Sequence, residues 1–548
     1  MRRVLCSVLV LILSFTAITA SVGCSKKEKA ASKGADLTKL LPKGVLGFVV
    51  ADGQSPGFAD FLQRGWYKSY IENLKKQLSQ NTAQTGDFST YFEVLKELGL
   101  YELNAGEKFP FGQALFFGVP DTAGAAFAGY YEATADSKFA ERLASVRAIL
   151  TKKSFQVSDL KGEGYEGFSV KIFEPEASLA PAMTVYRDQL GISNAFFAFG
   201  NGRLAISTNK ELLERGFAAP KDESKELLEG AAYKKIRASL PESDAGFGFG
   251  VVDVGAIAKL SKSPVPPLPL SLVGIQYDSQ PNGMIGRVVT DLAAADAKQK
   301  EVLDLFASTT GASGQIFARV TEGSAFGLSV DGALLLKMIE MGTKGAPLPP
   351  EAQQLKSLLS SVGAMHLSVA KAKVKGMLPI PDITLAMQDK DAPKLLAGVR
   401  ELVGKSPLPP GFAFQEVKDG ALTVYSMPTP VGVSVNLASI GDTVFLTTSK
   451  DLLTQAAADI SKIGLKGAAA ATSGMKSPRL GLYVDYSLFG DLMVELMQMQ
   501  PGAANNPALA QSFANFESMK NVGKVALALE VTGDQLRLNM SQEYGPAK

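Results

Sequence analysis

Apolar residues recur along the chain with two periods. Phe48-Val-Val, Leu115-Phe-Phe, Ser169-Val-Lys-Ile-Phe173 and Ala195-Phe-Phe-Ala-Phe199 are short runs of aromatic and β-branched residues, which predicts strands. Phe139, Leu143, Val146 and Leu150 recur at helical spacing, as do Leu395, Leu396, Val399 and Leu402. Val525 to Val531 and Leu536 to Met540 flank a Thr-Gly-Asp-Gln turn, which predicts a hairpin. Its second arm alternates apolar with polar, so one face of it is expected to be wet. Strands, hairpins and amphipathic helices in this mixture predict an α+β fold with largely antiparallel sheets packed with helices.

The unit is written twice. Asp136 to Arg147 aligns without gaps on Asp389 to Arg400, Leu204 to Leu213 on Val444 to Leu453, and Gly250 to Asp253 on Leu482 to Asp485. The order is constant while the offset drifts, as a tandem duplication with later loop changes leaves it. The expected domains are a signal peptide at 1–23 and a lipidated N-terminus with flexible tether at 24–38. Two homologous α+β units at 39–291 and 314–548 follow, joined by a helical linker at 292–313. A smaller signature, a strand ending in Asp, recurs at Asp52, Asp253, Asp331 and Asp485. Asp after a strand caps the next helix by accepting orphan backbone N–H groups, and that reading outweighs an acidic site.

The N-terminus changes the picture most. Arg2-Arg3 precedes an apolar run from Val4 to Ala20 and then Ser21-Val-Gly-Cys24, the layout of a secretory signal. The small residue before Cys24 resembles the lipobox of bacterial lipoproteins. That resemblance implies acylation of Cys24 and membrane lipid as its partner. Ser21 stands where the family prefers Leu, which keeps ordinary cleavage after Ala20 open. Cys6 lies inside the signal, so a chain beginning at lipidated Cys24 keeps no free thiol and no disulfide. Ser25 rather than Asp follows the cysteine, which in enteric-type sorting resembles an outer-membrane lipoprotein facing the periplasm. Residues 25–34 are small and polar with several lysines, and read as tether.

Charge and chemistry then exclude several classes. Lys plus Arg total 56 and Asp plus Glu total 54, and Arg2 and Arg3 carry the difference, so nucleic acid is not an expected partner. The single histidine, His366, corresponds on the repeat to Leu115, and is expected to be a structural residue on a strand. One His and no mature thiolate leave no Ser-His-Asp or Cys-His catalysis of the usual kind and no His-rich zinc site. Gly162 to Gly167 matches the dinucleotide pattern by letter, but a strand follows it, so it is a turn. Gly398 to Ser406 has one residue too many for a phosphate loop and ends a helix. Ser207-Thr-Asn-Lys210 lacks the companion motifs of penicillin-recognising enzymes, and Thr208 to Glu211 and Thr448 to Asp451 read as capping boxes. Arg64 to Tyr70 holds the only Trp, as a contact surface or a core anchor.

Each unit opens with strand–Asp–helix and carries an extended run after its central helix, Tyr165 to Phe173 and Asp419 to Tyr425. Each then has a strand running into Thr-x-Lys-Glu/Asp-Leu-Leu, at Thr208 and Thr448. The whole resembles an uncharacterised bacterial domain-of-unknown-function family of exported proteins, which implies no activity and no site residues. The expected function is non-enzymatic: a membrane-anchored envelope lipoprotein that binds or scaffolds, with an envelope protein or a hydrophobic ligand as partner. No catalytic, cofactor or metal residue is expected. The alternative is a carrier of lipid or another hydrophobic ligand, with a cavity lined by Phe and Met. A carboxylate-only hydrolase stands third.

Overall fold

The computed structural model describes residues 37–55, 57–58, 89–100, 109–121, 124–171, 193–221, 223, 225–241, 246–260, 270–280, 282–292, 316–342, 350–370, 380–405, 413–429, 432–498, 516 and 520–544. The chain divides into two compact units, residues 1–293 and 294–548. Both mix helices with antiparallel strands. Cys24, Arg64 to Tyr70 and the linker residues 293–313 lie outside the described residues.

Unit 1 runs β1 (Gly47–Asp52), α1 (Ser89–Glu97), β2 (Phe111–Asp121), β3 (Gly124–Ala133), α2 (Phe139–Lys152), β4 (Val157–Gly162), β5 (Tyr165–Lys171), β6 (Asn194–Gly200) and β7 (Arg203–Ser207). It continues with α3 (Lys210–Arg215), α4 (Lys225–Leu228), α5 (Ala231–Ser239), β8 (Gly246–Asp253), α6 (Val254–Leu260), β9 (Leu270–Gln280) and β10 (Gly283–Leu292). Every neighbouring pair is antiparallel, in the order β10-β9-β8-β1-β2-β3-β7-β6-β5-β4. Phe139, Leu143, Val146 and Leu150 form the buried stripe of α2, as their spacing predicts. Phe48, Val50, Leu115, Phe117 and Tyr130 share one sheet face and pack with Leu37, Leu40 and Leu41 into the main core. The tether expected at 24–38 therefore stops short of its predicted end. Leu37 and Thr38 belong to a 3₁₀ turn, Leu37 is buried, and Arg215 pins this segment by donating to the carbonyls of Leu40 and Leu41.

Unit 2 runs β11 (Ser324–Asp331), α7 (Gly332–Gly342), α8 (Pro350–Leu359), β12 (Ala364–Ala370), β13 (Asp382–Gln388), α9 (Ala392–Lys405), β14 (Gln415–Asp419), β15 (Leu422–Pro428), β16 (Ser434–Ile440) and β17 (Thr443–Thr447). It ends with α10 (Lys450–Ala458), β18 (Leu480–Asp485), α11 (Tyr486–Gln498), β19 (Lys524–Thr532) and β20 (Gln535–Glu543). The strand order is β20-β19-β18-β11-β12-β13-β17-β16-β15-β14, again wholly antiparallel. Each strand of unit 2 thus takes the place held in unit 1 by the strand ten earlier. Register follows: Val50 opposes Leu115 and Phe249, and Ser329 opposes His366 and Gly481.

The predicted β19–β20 hairpin is present, but its faces are inverted. Asn539 and Ser541 are buried, whereas Leu536, Leu538 and Met540 are only half-buried. The reason is the cover on the polar side. Asn539 donates to the carbonyl of Ser473, and Glu530 accepts the N–H groups of Lys476 and Ser477. These side chains supply hydrogen bonds that the covering backbone would otherwise lose on burial.

Candidate functional site

The alternation in unit 2 puts a run of large aliphatic side chains on one sheet face and, apart from Tyr483 and Phe445, small or polar ones on the other. On the apolar face, cross-strand register lines up Met540, Leu527, Leu482, Leu328, Leu367, Leu385, Leu446 and Leu437 in a single row across eight strands, β20 to β16. At ~4.8 Å per strand the row spans about 34 Å. It is flanked by Leu538, Leu529, Leu480, Val330, Met365, Met387 and Val444 on one side, and by Val525, Val484, Phe326, Val369 and Ile383 on the other. Helices α7, α9 and α11 lie over this face. They cover it incompletely. From Met540 to Leu446 every member of the central row is half-buried, Ile383 is 43% exposed, and Met338 of α7 is 51% exposed. The matching row of unit 1 differs at its centre: Val49 and Phe116 are buried, and Gly129 leaves room for the Phe116 ring, whereas Val288, Ile275 and Ile206 are half-buried as in unit 2.

The opposite face of unit 2 is closed, and polar side chains are buried there beside Tyr483 and Phe445. Ser329, His366, Ser368, Thr384, Gln388, Asn436 and Thr447 are all buried. Ser329 Oγ accepts the N–H of Phe317 at 3.1 Å, and Ser368 Oγ accepts that of Thr321 at 3.0 Å, so the sheet's hydroxyls hold down the turn Ile316–Val320. His366 lies between Ser329 Oγ (2.9 Å to Nδ1) and Gln388 Oε1 (3.0 Å to Nε2). Gln388 Oε1 can only accept, so Nε2 carries the ring's proton and Nδ1 accepts the hydrogen of Ser329 Oγ. Burial pushes the imidazole down to about 4. Ser329 and His366 form no nucleophile–base pair open to substrate, because both are 0% exposed and the third partner is an amide, not a carboxylate.

Three of the strand-end aspartates cap a helix: Asp253 accepts from Ala256 N, Asp331 from Leu334 N, and Asp485 from Ser487 N and Leu488 N, while Asp52 accepts from Gln54 N in a turn. The capping boxes require a correction by one residue. Asn209 caps α3 and Ser449 caps α10, whereas the hydroxyls of Thr208 and Thr448 accept the strand N–H groups of Phe127 and Ile383. The threonine still belongs to the sheet, so its hydroxyl serves a neighbouring strand and the next polar residue is free to cap. Gly162 and Tyr165 bracket the β4–β5 turn, and Gly398 and Gly404 lie inside α9.

Among the described residues, no group of three or more His, Cys, Asp or Glu is placed to hold a metal ion. No helix there is long and apolar enough to cross a membrane. A cavity of about 30 Å³ is lined by Glu322, Tyr483, Lys524, Ser541 and Glu543, and a shallow opening of about 500 Å³ lies over the β4–β5 hairpin beside Tyr165 and Phe199. Neither has a wall of Phe and Met. The apolar surface lies on the sheet face instead. The strands that build it each show the signal in sequence, as in Met365-His-Leu-Ser-Val369 and Leu480-Gly-Leu-Tyr-Val484. What was missing was their common register.

No protein-family model and no curated protein matches the chain. Solved structures of TP0453 show a faint likeness. Crystal form IV has 11% identity and a TM-score of 0.22, covering 42% of this chain and 93% of that one. Crystal form I has 10% identity and a TM-score of 0.24, covering 50% and 85%. These scores are too low to carry fold or function to this chain.

Proposed function

We propose that this chain is a non-enzymatic lipoprotein of the bacterial envelope, anchored through acylated Cys24, that binds an apolar ligand on the second of two duplicated α+β domains. The ligand class is a lipid or another molecule with a long hydrocarbon chain. The half-covered leucine row of unit 2 carries this reading. An apolar face of that length normally drives a tight cover, since each buried methylene is worth about 0.8 kcal/mol. Large exposed apolar patches on monomers tend to mark interaction sites. Duplication is supported by the matched strand orders and by the aligned segments Asp136 to Arg147 and Asp389 to Arg400. The envelope setting rests on Arg2-Arg3, the apolar run and Cys24. Placement in the outer membrane, facing the periplasm, rests on Ser25.

Native mass spectrometry of a soluble chain starting at Ala30 tests the ligand. A bound mass that extracts as lipid is the expected result, and it should disappear when Leu328 and Leu367 are both changed to Ser. A clean apo mass from cells grown with their normal lipids sinks the ligand reading and leaves the protein a scaffold.

A further inference from the structure

The turn Ile316–Val320 seals the polar face of unit 2 in a costly conformation. Phe317 is buried with φ of 70°, a left-handed geometry that bulky residues rarely adopt. Its N–H donates to Ser329 Oγ at 3.1 Å, and its carbonyl accepts from Val320 N at 3.2 Å and from Leu465 N at 3.3 Å. From Ser329 the bonds continue through His366 to Gln388. Phe317, Ser329, His366 and Gln388 are each 4% exposed or less. The described residues of unit 1 lack the whole arrangement. Val50 and Leu115 occupy the register positions of Ser329 and His366, and no residue of the turn Leu37–Leu40 has positive φ.

A neutral imidazole has one donor and one acceptor, and both are engaged. A second proton at Nδ1 would face Ser329 Oγ. That oxygen could accept both N–H groups on its two lone pairs, but its own hydrogen would lose its acceptor inside a buried site. The charged groups that bear on the ring are Arg319 of the turn and Asp442 of the β16–β17 turn, themselves paired at 3.2 Å. The apolar cluster that packs with the turn includes Leu465, Ala468 and Ala471. Among the described residues, an imidazolium here would have only the neutral Ser329 and Gln388 oxygens as direct partners, in a site closed to water. We infer that Phe317, Ser329, His366 and Gln388 form an acid-released latch, in which neutral His366 holds the strained turn closed over unit 2 and protonation frees it.

The direction in pH follows from burial, which takes the ring from 6.5 down to about 4 in the closed state. The open state binds more protons between those values, so the latch is complete above pH 6.5 and weakens as pH falls toward 4. Hydrogen exchange by mass spectrometry on the full chain in detergent, at about pH 7 and about pH 4.5, reads this after correction for intrinsic rates. Opening at Phe317 and Leu465 should rise on the order of 50-fold at the lower pH, with no matching rise in β1 and β2. His366→Gln keeps a donor and an acceptor but does not titrate, and should abolish the rise. Ser329→Val with His366→Leu installs the pair of unit 1, and should abolish it at Leu465 as well. No rise in the natural chain, or a rise that persists in whichever of these variants folds, overturns the latch.

Discussion

At residue scale, the two units fill the same space from opposite sides. In unit 1 the sheet supplies the bulk: Phe48 and Phe249 meet at 6.2 Å between ring centres, and the turn above brings leucines. In unit 2 the register positions of those rings are Gly327 and Gly481, and the turn supplies Phe317. A Cβ on Gly481 would sit 2.6 Å from Phe317 Cζ and would also clash with Ile316. Gly481→Ala should therefore cost about 1–3 kcal/mol, seen as a lower urea midpoint, and Phe317→Leu in the same chain should recover part of it. An unchanged midpoint in Gly481→Ala alone would mean that the turn gives way freely.

At element scale, short helices depend on their first residues. The six-residue helix α3 starts at Asn209, whose Oδ1 accepts from Glu211 N at 2.9 Å and Leu212 N at 3.3 Å. Asn209→Ala should lower stability by about 1 kcal/mol in thermal unfolding. Moving the capping assignment from Thr208 to Asn209 makes the test pointed. Loss of the Thr208 hydroxyl removes a bond to Phe127 N instead, and should loosen the β3–β7 edge rather than the helix. The strand–Asp–helix junctions were legible for the same local reason. A carboxylate two or three residues before an orphan N–H needs no distant partner.

At the scale of the whole molecule, the units share a strand order but differ in how they close. Unit 1 packs aromatic rings such as Phe111, Phe117, Tyr130 and Tyr131 against one another, and leaves few apolar side chains half-covered on its central strands. Unit 2 seals polar groups and leaves most of its leucine row half-buried. If anchoring follows from Cys24, then Cys24→Ala should release the protein from the membrane fraction into the soluble envelope extract. Full retention in the pellet would mean that another contact holds it. Only residues 25–36 separate that cysteine from buried Leu37, so a span of at most about 47 Å would link the anchor to unit 1.

Much of this architecture was readable from local period and from self-similarity. The helical stripe of α2, the strands at Phe48 and Leu115, the last hairpin and the duplicated segments each depend on residues close together in the chain. A strand position could even be assigned to His366 by alignment with Leu115. The chemistry of the two faces was not readable, because alternation says which residues share a face and not which face is covered. In unit 2 the cover comes from residues 316–322, which directly precede β11 but bond onward to Ser368 of β12, and from residues 465–478, far along the chain from β13. Their backbone N–H groups need acceptors once buried, so they settle on the hydroxyls, amides and carboxylates. The row of leucines emerges only when eight strands take one register, and no single strand contains more than one or two of its neighbours.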